Sequence, residues 1–228
     1  MGEVSNKPSA VLWDMDGTLV DTEPYWMDAE TGLVESFGGR WTQQDALQLV
    51  GNGLLDSAGI LQRHGVKMDA EAIVQRLTDE VASRLRADGV PFRPGARELL
   101  AQLRADGIRT ALVTMSMKRM ALDVVSLIDF TAFDLVVGGD EVARPKPFPD
   151  PYLQAAEMLD VDIADTVVIE DSLTGVRAGR ASGAVTLGVP HIVPLDGAPA
   201  HELWPTLDGR RTADIRDLHG RFAKETTR

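Results

Sequence analysis

The sequence has no cysteine among its 228 residues. That excludes disulfides, thiolate metal sites and a cysteine nucleophile, although it assigns no compartment. Positive charge is scarce as well: 23 Lys and Arg stand against 35 Asp and Glu, for a formal net charge of -12. A surface for nucleic acid or an anionic membrane needs clustered positive charge, so neither partner is expected. An anionic substrate would need a local basic pocket, because the average field repels it. Long hydrophobic runs are missing too. The apolar stretch at 11–13 is too short to span a membrane, and the polar residues 1–10 are too short for a signal peptide. No internal repeat or low-complexity tract stands out. None of the four histidines (His64, His191, His201, His219) has metal-ligand spacing. A soluble cytoplasmic protein acting as a monomer is the expectation.

Hydrophobic residues make up 44% of the chain, enough for a sizeable core. Two patterns divide it. From about Glu23 to Gly89 the periodicity is helical only. Pro24 suits a helix start, and Trp26, Ala29, Leu33, Val34 and Phe37 recur at helical spacing before Gly38 and Gly39 end the run. Thr42 and Asp45 resemble a capping box for a short second helix. A third helix over 54–64 stops at Gly65. Asp69 caps a fourth, with Ile73, Val74, Leu77, Val81 and Leu85 on one face and Gly89 past its end. The rest alternates strand and helix: strands near 10–13, 108–113, 135–137, 166–169 and 184–187, helices near 96–105, 118–127, 151–159 and 173–181. Such alternation predicts an α/β fold with a mostly parallel sheet and helices on both faces. Residues 213–218 could be a final strand or a short helix. The helical segment, 23–91, is then an insertion after the first strand, lying over the carboxyl edge of a core made of 1–22 and 92–228.

Polar residues fall where such a sheet binds ligands, at the carboxyl ends of its strands. Asp14 and Asp16 follow the first strand, Thr114 the second, and Glu170 and Asp171 the fourth; Lys146 lies in the loop after the third. Carboxylates gathered in one crevice repel, and a hard divalent cation removes most of that cost. Oxygen ligands without His or Cys point to Mg²⁺. Lys146 offers a compact charge and Thr114 a hydroxyl to phosphate oxygens. Asp14 can then attack phosphorus in line, while Asp16 serves as acid and base. Gly17 permits the sharp backbone turn that carries both carboxyls inward. Ser116 and Lys118 could add phosphate contacts, or be a helix cap and an exposed charge. An Asp-x-Asp-Gly stretch could be a calcium loop, but Leu19 and Tyr25 occupy the positions that need Gly and Glu.

The run Asp14, Met15, Asp16, Gly17, Thr18, Leu19, Val20, Asp21 resembles the first motif of the haloacid dehalogenase superfamily. Thr114 resembles its second motif, Lys146 between two prolines its third, and Glu170, Asp171 and Ser172 with Gly175 its fourth. The resemblance covers nearly the whole chain. It implies a Rossmann-like, doubly wound core with a helical cap of the beta-phosphoglucomutase-like subgroup. It implies Mg²⁺ held by the Asp14 side chain, the Asp16 backbone carbonyl and the Asp171 side chain, with Glu170 a ligand or a partner to one. Asp16 favours phosphoryl chemistry over dehalogenation. Mutases of this subgroup carry a Tyr-His step early in the cap and an Arg just before an Asp-Ser pair. Here Trp26 follows Tyr25, and Leu54 and Leu55 precede Asp56 and Ser57. The resemblance thus implies a phosphatase for a small phosphorylated metabolite, a sugar or polyol phosphate. The alternatives are a sugar phosphomutase and a non-catalytic binding module. Trp26 and Asn52 are candidate cap contacts to the substrate, with core packing and a turn role as their respective alternatives.

Overall fold

β1 (Ala10–Trp13) reads as an unbroken apolar run because both its faces are covered; all four side chains are fully buried. It lies at the centre of a six-stranded sheet in the computed structural model, which describes residues 7–223. The start of the polar stretch at 1–10 therefore lies outside the described residues. With β2 (Arg109–Val113), β3 (Leu135–Val137), β4 (Thr166–Glu170), β5 (Val185–Gly188) and β6 (Glu202–Leu203), the order is β3-β2-β1-β4-β5-β6, every pair parallel. The chain winds outward from β1 through β2 to β3, then returns to the other side of β1 at β4. The direction of winding reverses between β1 and β4, which is where such a sheet opens a crevice at its carboxyl edge.

Alternate strand residues feed two cores. Val11, Trp13, Leu112, Val167 and Ile169 pack with α5 (Ala96–Ala105), α6 (Lys118–Ser126) and α9 (Thr212–Phe222). Ala10, Leu12, Ala111, Val113 and Val168 pack on the other face with α7 (Asp150–Met158) and α8 (Leu173–Ser182). This is the doubly wound α/β arrangement that the strand and helix alternation predicts.

Four helices intervene between β1 and α5: α1 (Glu23–Ser36), α2 (Gln43–Ala46), α3 (Leu54–Arg63) and α4 (Ala70–Asp88). Pro24 sits in the first turn of α1, and Thr42 and Asp45 form the reciprocal capping box at α2. Two expectations need correction. Asp69 is the residue before α4, but its side chain accepts no capping hydrogen bond. Phe37 falls just past the end of α1 and is exposed, so the buried stripe ends at Val34. At 213–218, open between strand and helix, the helix holds: α9 buries Ile215 and Leu218, while β6, upstream of it, pairs with β5. Among the described residues no helix is long and apolar enough to cross a membrane.

Candidate active site

Strand register assembles the acidic centre. Trp13 pairs with Ile169 across β1 and β4, so the next residues, Asp14 and Glu170, emerge side by side, and Asp171 follows. The Asp14 backbone N–H donates to the Ile169 carbonyl at 3.1 Å. Lys146 arrives from the loop between β3 and α7, where the Lys146–Pro147 peptide is cis. Its Nζ donates to Asp14 Oδ1 (2.7 Å), Glu170 Oε1 (2.7 Å) and the Val113 carbonyl at the end of β2 (3.0 Å). These three acceptors match the three hydrogens of an ammonium, which explains how Lys146 is tolerated at 4% exposure. Burial opposes its charge, but Asp14 and Glu170 outweigh that and hold it above the ordinary lysine range. Tyr152 of α7 donates its hydroxyl to Glu170 Oε1 at 2.6 Å.

Oxygens of Asp14, Glu170 and Asp171 lie within 4.8 Å of one another. One lysine faces three buried carboxylates, and the imbalance shows. Burial pushes Asp14 up to about 7, with Glu170 adding to the shift and Lys146 opposing it. Burial, then the charges of Asp14 and Glu170, raise Asp171 well above the usual carboxylate range. A hard divalent ion fits this donor set, supplying the missing positive charge to oxygen ligands alone. The backbone leaves room for the carboxylates themselves. Gly17 has φ +82°, and a Cβ there would lie 2.2 Å from Asp171 Oδ2; a Cβ on Gly175 would lie 1.8 Å from Glu170 Oε1.

The fourth carboxylate does not join this group. Asp16 Oδ1 accepts from Thr22 Oγ1 (2.5 Å) and Trp26 Nε1 (3.0 Å), and Oδ2 from Ser116 Oγ (2.7 Å) and Thr114 Oγ1 (3.3 Å). Thr114 and Ser116 therefore meet Asp16 from the loop after β2, while Trp26 meets it from α1. Lys118 is engaged elsewhere, with Glu141 Oε1 at 2.6 Å.

A cavity of about 80 Å³ lies between the sheet edge and the helical insert. Asp14, Asp16, Thr114, Ser116, Lys146 and Asp171 line it from the sheet, and Trp26 and Asn52 from the insert. The Asn52 amide donates to the Gln48 carbonyl at 2.8 Å, so it also holds its own turn. Two residues that the sequence reading passed over line the same space: Glu23 and Glu30, both buried on α1. Burial pushes each up to about 8, helped at Glu23 by the charge of Asp16. Glu30 had a visible signal. It occupies the stripe of Trp26, Leu33 and Phe37 at four and three residues' spacing, where an acid is out of place. Tyr152 had none, since a tyrosine in an apolar helix face reads as packing.

The comparisons extend this picture. A family model described as haloacid dehalogenase-like hydrolase matches residues 8–183. The phosphorylated carbohydrates phosphatase of Thermotoga maritima is 33% identical over 184 residues, covering 80% of this chain and 85% of that protein. A plasmid-borne phosphoglycolate phosphatase of Cupriavidus necator is 32% identical over 209 residues, covering 88% of each. In one further relative, a bifunctional enzyme, the chain spans only 49% of the length. A crystal structure of mutant CbbY from Rhodobacter sphaeroides, in complex with xylulose-(1,5)bisphosphate, superposes with a TM-score of 0.81 at 26% identity, covering 89% of this chain and 96% of that one. With most of its length matched, including both strands that carry the carboxylates, the chain belongs to the haloacid dehalogenase-like hydrolase family.

Proposed function

We propose that the chain is a Mg²⁺-dependent phosphatase for a small phosphomonoester of the sugar- or polyol-phosphate kind, with Asp14 as nucleophile. The observation that carries this is the buried cluster in which Lys146 bridges Asp14 and Glu170 beside Asp171. The ion would be held by the side chains of Asp14, Asp171 and Glu170 and by the Asp16 backbone carbonyl. When bound, it would neutralise the carboxylates and polarise the phosphoryl oxygens.

In this reading the Asp14 carboxylate attacks phosphorus opposite the ester oxygen, and the P–O bond to the alcohol breaks as the aspartyl phosphate forms. Lys146, Thr114 and Ser116 would each turn a hydrogen from a present acceptor to the phosphoryl oxygens as charge shifts onto them. Asp16 gives its proton to the leaving alkoxide, then takes one from the water that attacks the aspartyl phosphate, releasing inorganic phosphate and freeing Asp14. The hydrogen bonds from Thr22 and Trp26 to Asp16 support a link between its position and that of the insert. Residues 23–91 are accordingly assigned as a cap over a core of 1–22 and 92–228, with Trp26 and Asn52 facing the substrate.

No observation favours the mutase or the non-catalytic reading. The assignment is tested with a panel of phosphorylated sugars and polyols. Phosphate release should require Mg²⁺, stop on chelation and vanish in Asp14→Asn. An active Asp14→Asn protein would remove the nucleophile assignment.

A further inference from the structure

We propose that Trp26 is a positioning residue for the proton that Asp16 carries. Its indole N–H keeps Asp16 Oδ1 an acceptor, so the acid proton sits on Oδ2 and reaches the leaving alcohol from there. This rests on the phosphatase reading above, and gives Trp26 an action through Asp16 that is separate from contact with the substrate.

Four donors reach the Asp16 carboxyl among the described residues, and they are not alike. Three are the hydroxyls of Thr22, Ser116 and Thr114; the fourth is the indole of Trp26. A hydroxyl both donates and accepts, so it can turn when its partner gains a proton. An indole N–H only donates. A proton on Oδ1 would therefore stand against the indole hydrogen, with Nε1 only 3.0 Å away. Thr22 Oγ1, at 2.5 Å, supports the same oxygen from the residue before α1. Oδ2 is under no such restriction. Its nearer partner, Ser116 Oγ at 2.7 Å, makes no second hydrogen bond among the described residues and can turn to accept. Thr114 Oγ1 already accepts from the Ser116 backbone N–H at 3.0 Å, so it keeps its own hydrogen for donation.

Helix geometry fixes the indole where this role needs it. The Trp26 backbone N–H donates to the Thr22 carbonyl at 3.1 Å. The two residues are thus one turn apart on the same face, and both side chains meet Oδ1. The Trp26 ring is 8% exposed and packs in the larger apolar core, which restricts its rotation. Oδ2 in turn shares its side of the carboxyl with Ser116 and Thr114, the groups assigned above to the phosphoryl oxygens. From Oδ2 the proton passes to the ester oxygen as the P–O bond breaks and Asp14 gains the phosphoryl group. The same oxygen then takes the proton of the water that attacks the aspartyl phosphate.

The test compares two leaving groups of similar size on the Mg²⁺-loaded protein. Benzyl phosphate releases an alkoxide that needs a proton; 4-nitrophenyl phosphate releases a phenolate that does not. The ratio kcat/KM is read for both, because it covers the steps up to transfer onto Asp14. Trp26→Phe, which keeps a ring and loses the N–H, should lower the benzyl value at least about 30-fold and leave the nitrophenyl value within about threefold. In an Asp16→Asn background the same change should alter neither value by more than about twofold. Equal losses on both esters would make Trp26 a packing or binding residue and overturn the proposal, as would no loss on either. Turnover of no phosphomonoester by the native chain would remove the phosphatase reading itself. Should Trp26→Phe fail to fold, 3-benzothienylalanine at position 26 replaces the N–H by sulfur within the same ring outline and is held to the same two values.

Discussion

Glu30 is one of several buried acids that tie the protein's stability to pH. Its carboxyl has an ordinary value of 4.5 in the unfolded chain and about 8 when folded. Between those values the folded protein holds a proton that the unfolded chain has lost. Stability from this group is therefore full below about pH 4.5 and is lost as the pH rises toward 8, with a slope approaching about 1.4 kcal/mol per pH unit. Glu23 acts in the same direction. Urea unfolding at pH 5 through 8 should show a steady fall for the native chain and a shallower one for Glu30→Gln. Parallel curves would place the Glu30 proton elsewhere. Asp14, Asp16, Lys146, Glu170 and Asp171 were legible because strand ends and residue chemistry suffice to place them. That Asp16 would face hydroxyls and an indole, away from the other three carboxylates, was not legible, because side-chain direction depends on partners distant in sequence, such as Ser116.

At the scale of elements, the two linkers between sheet and insert pair with each other. Asp21 N–H donates to the Pro91 carbonyl at 2.7 Å and Arg93 N–H to the Leu19 carbonyl at 2.9 Å, around an antiparallel bridge of Val20 and Phe92. His191, from the loop after β5, joins both. Its Nδ1 accepts from Arg93 Nη1 at 2.6 Å, so Nε2 carries the hydrogen donated to Asp21 Oδ1 at 2.8 Å. Loss of these two bonds in His191→Ala should cost about 1–2 kcal/mol in unfolding free energy. If the linkers bend during turnover, kcat and KM should move together. A change in stability alone would make His191 a purely structural tie. Nothing in the sequence pairs the linkers with His191, 98 residues beyond Arg93. β6 was equally hidden: two residues carry no readable period, and their pairing depends on β5.

For the molecule as a whole, a net charge of -12 surrounds a cavity with one lysine. In the proposed reaction a phosphomonoester dianion would approach against that field until it reached Lys146. Added salt screens the outer repulsion more than the buried contacts. Raising ionic strength from ~10 to ~150 mM at fixed free Mg²⁺ should increase kcat/KM about two- to threefold, which initial-rate measurements can check. A steep decrease would mean that the approach is guided by positive charge instead. The α/β class and the helical segment after the first strand follow from alternation and spacing, whereas the strand order comes from the pairing itself. That the insert wall of the cavity carries no cation was not legible either, because it depends on which faces of α1, α3 and α4 meet.

The paired linkers also bear on how such a protein can change. The chain leaves its sheet and re-enters through a single doorway, where Asp21 and Pro91 are joined by one 2.7 Å hydrogen bond. Whatever lies beyond that doorway can be lengthened, shortened or exchanged without shifting the register that sets Asp14 beside Glu170. A change in the insert can therefore spare that register, although one at Trp26 reaches back to Asp16.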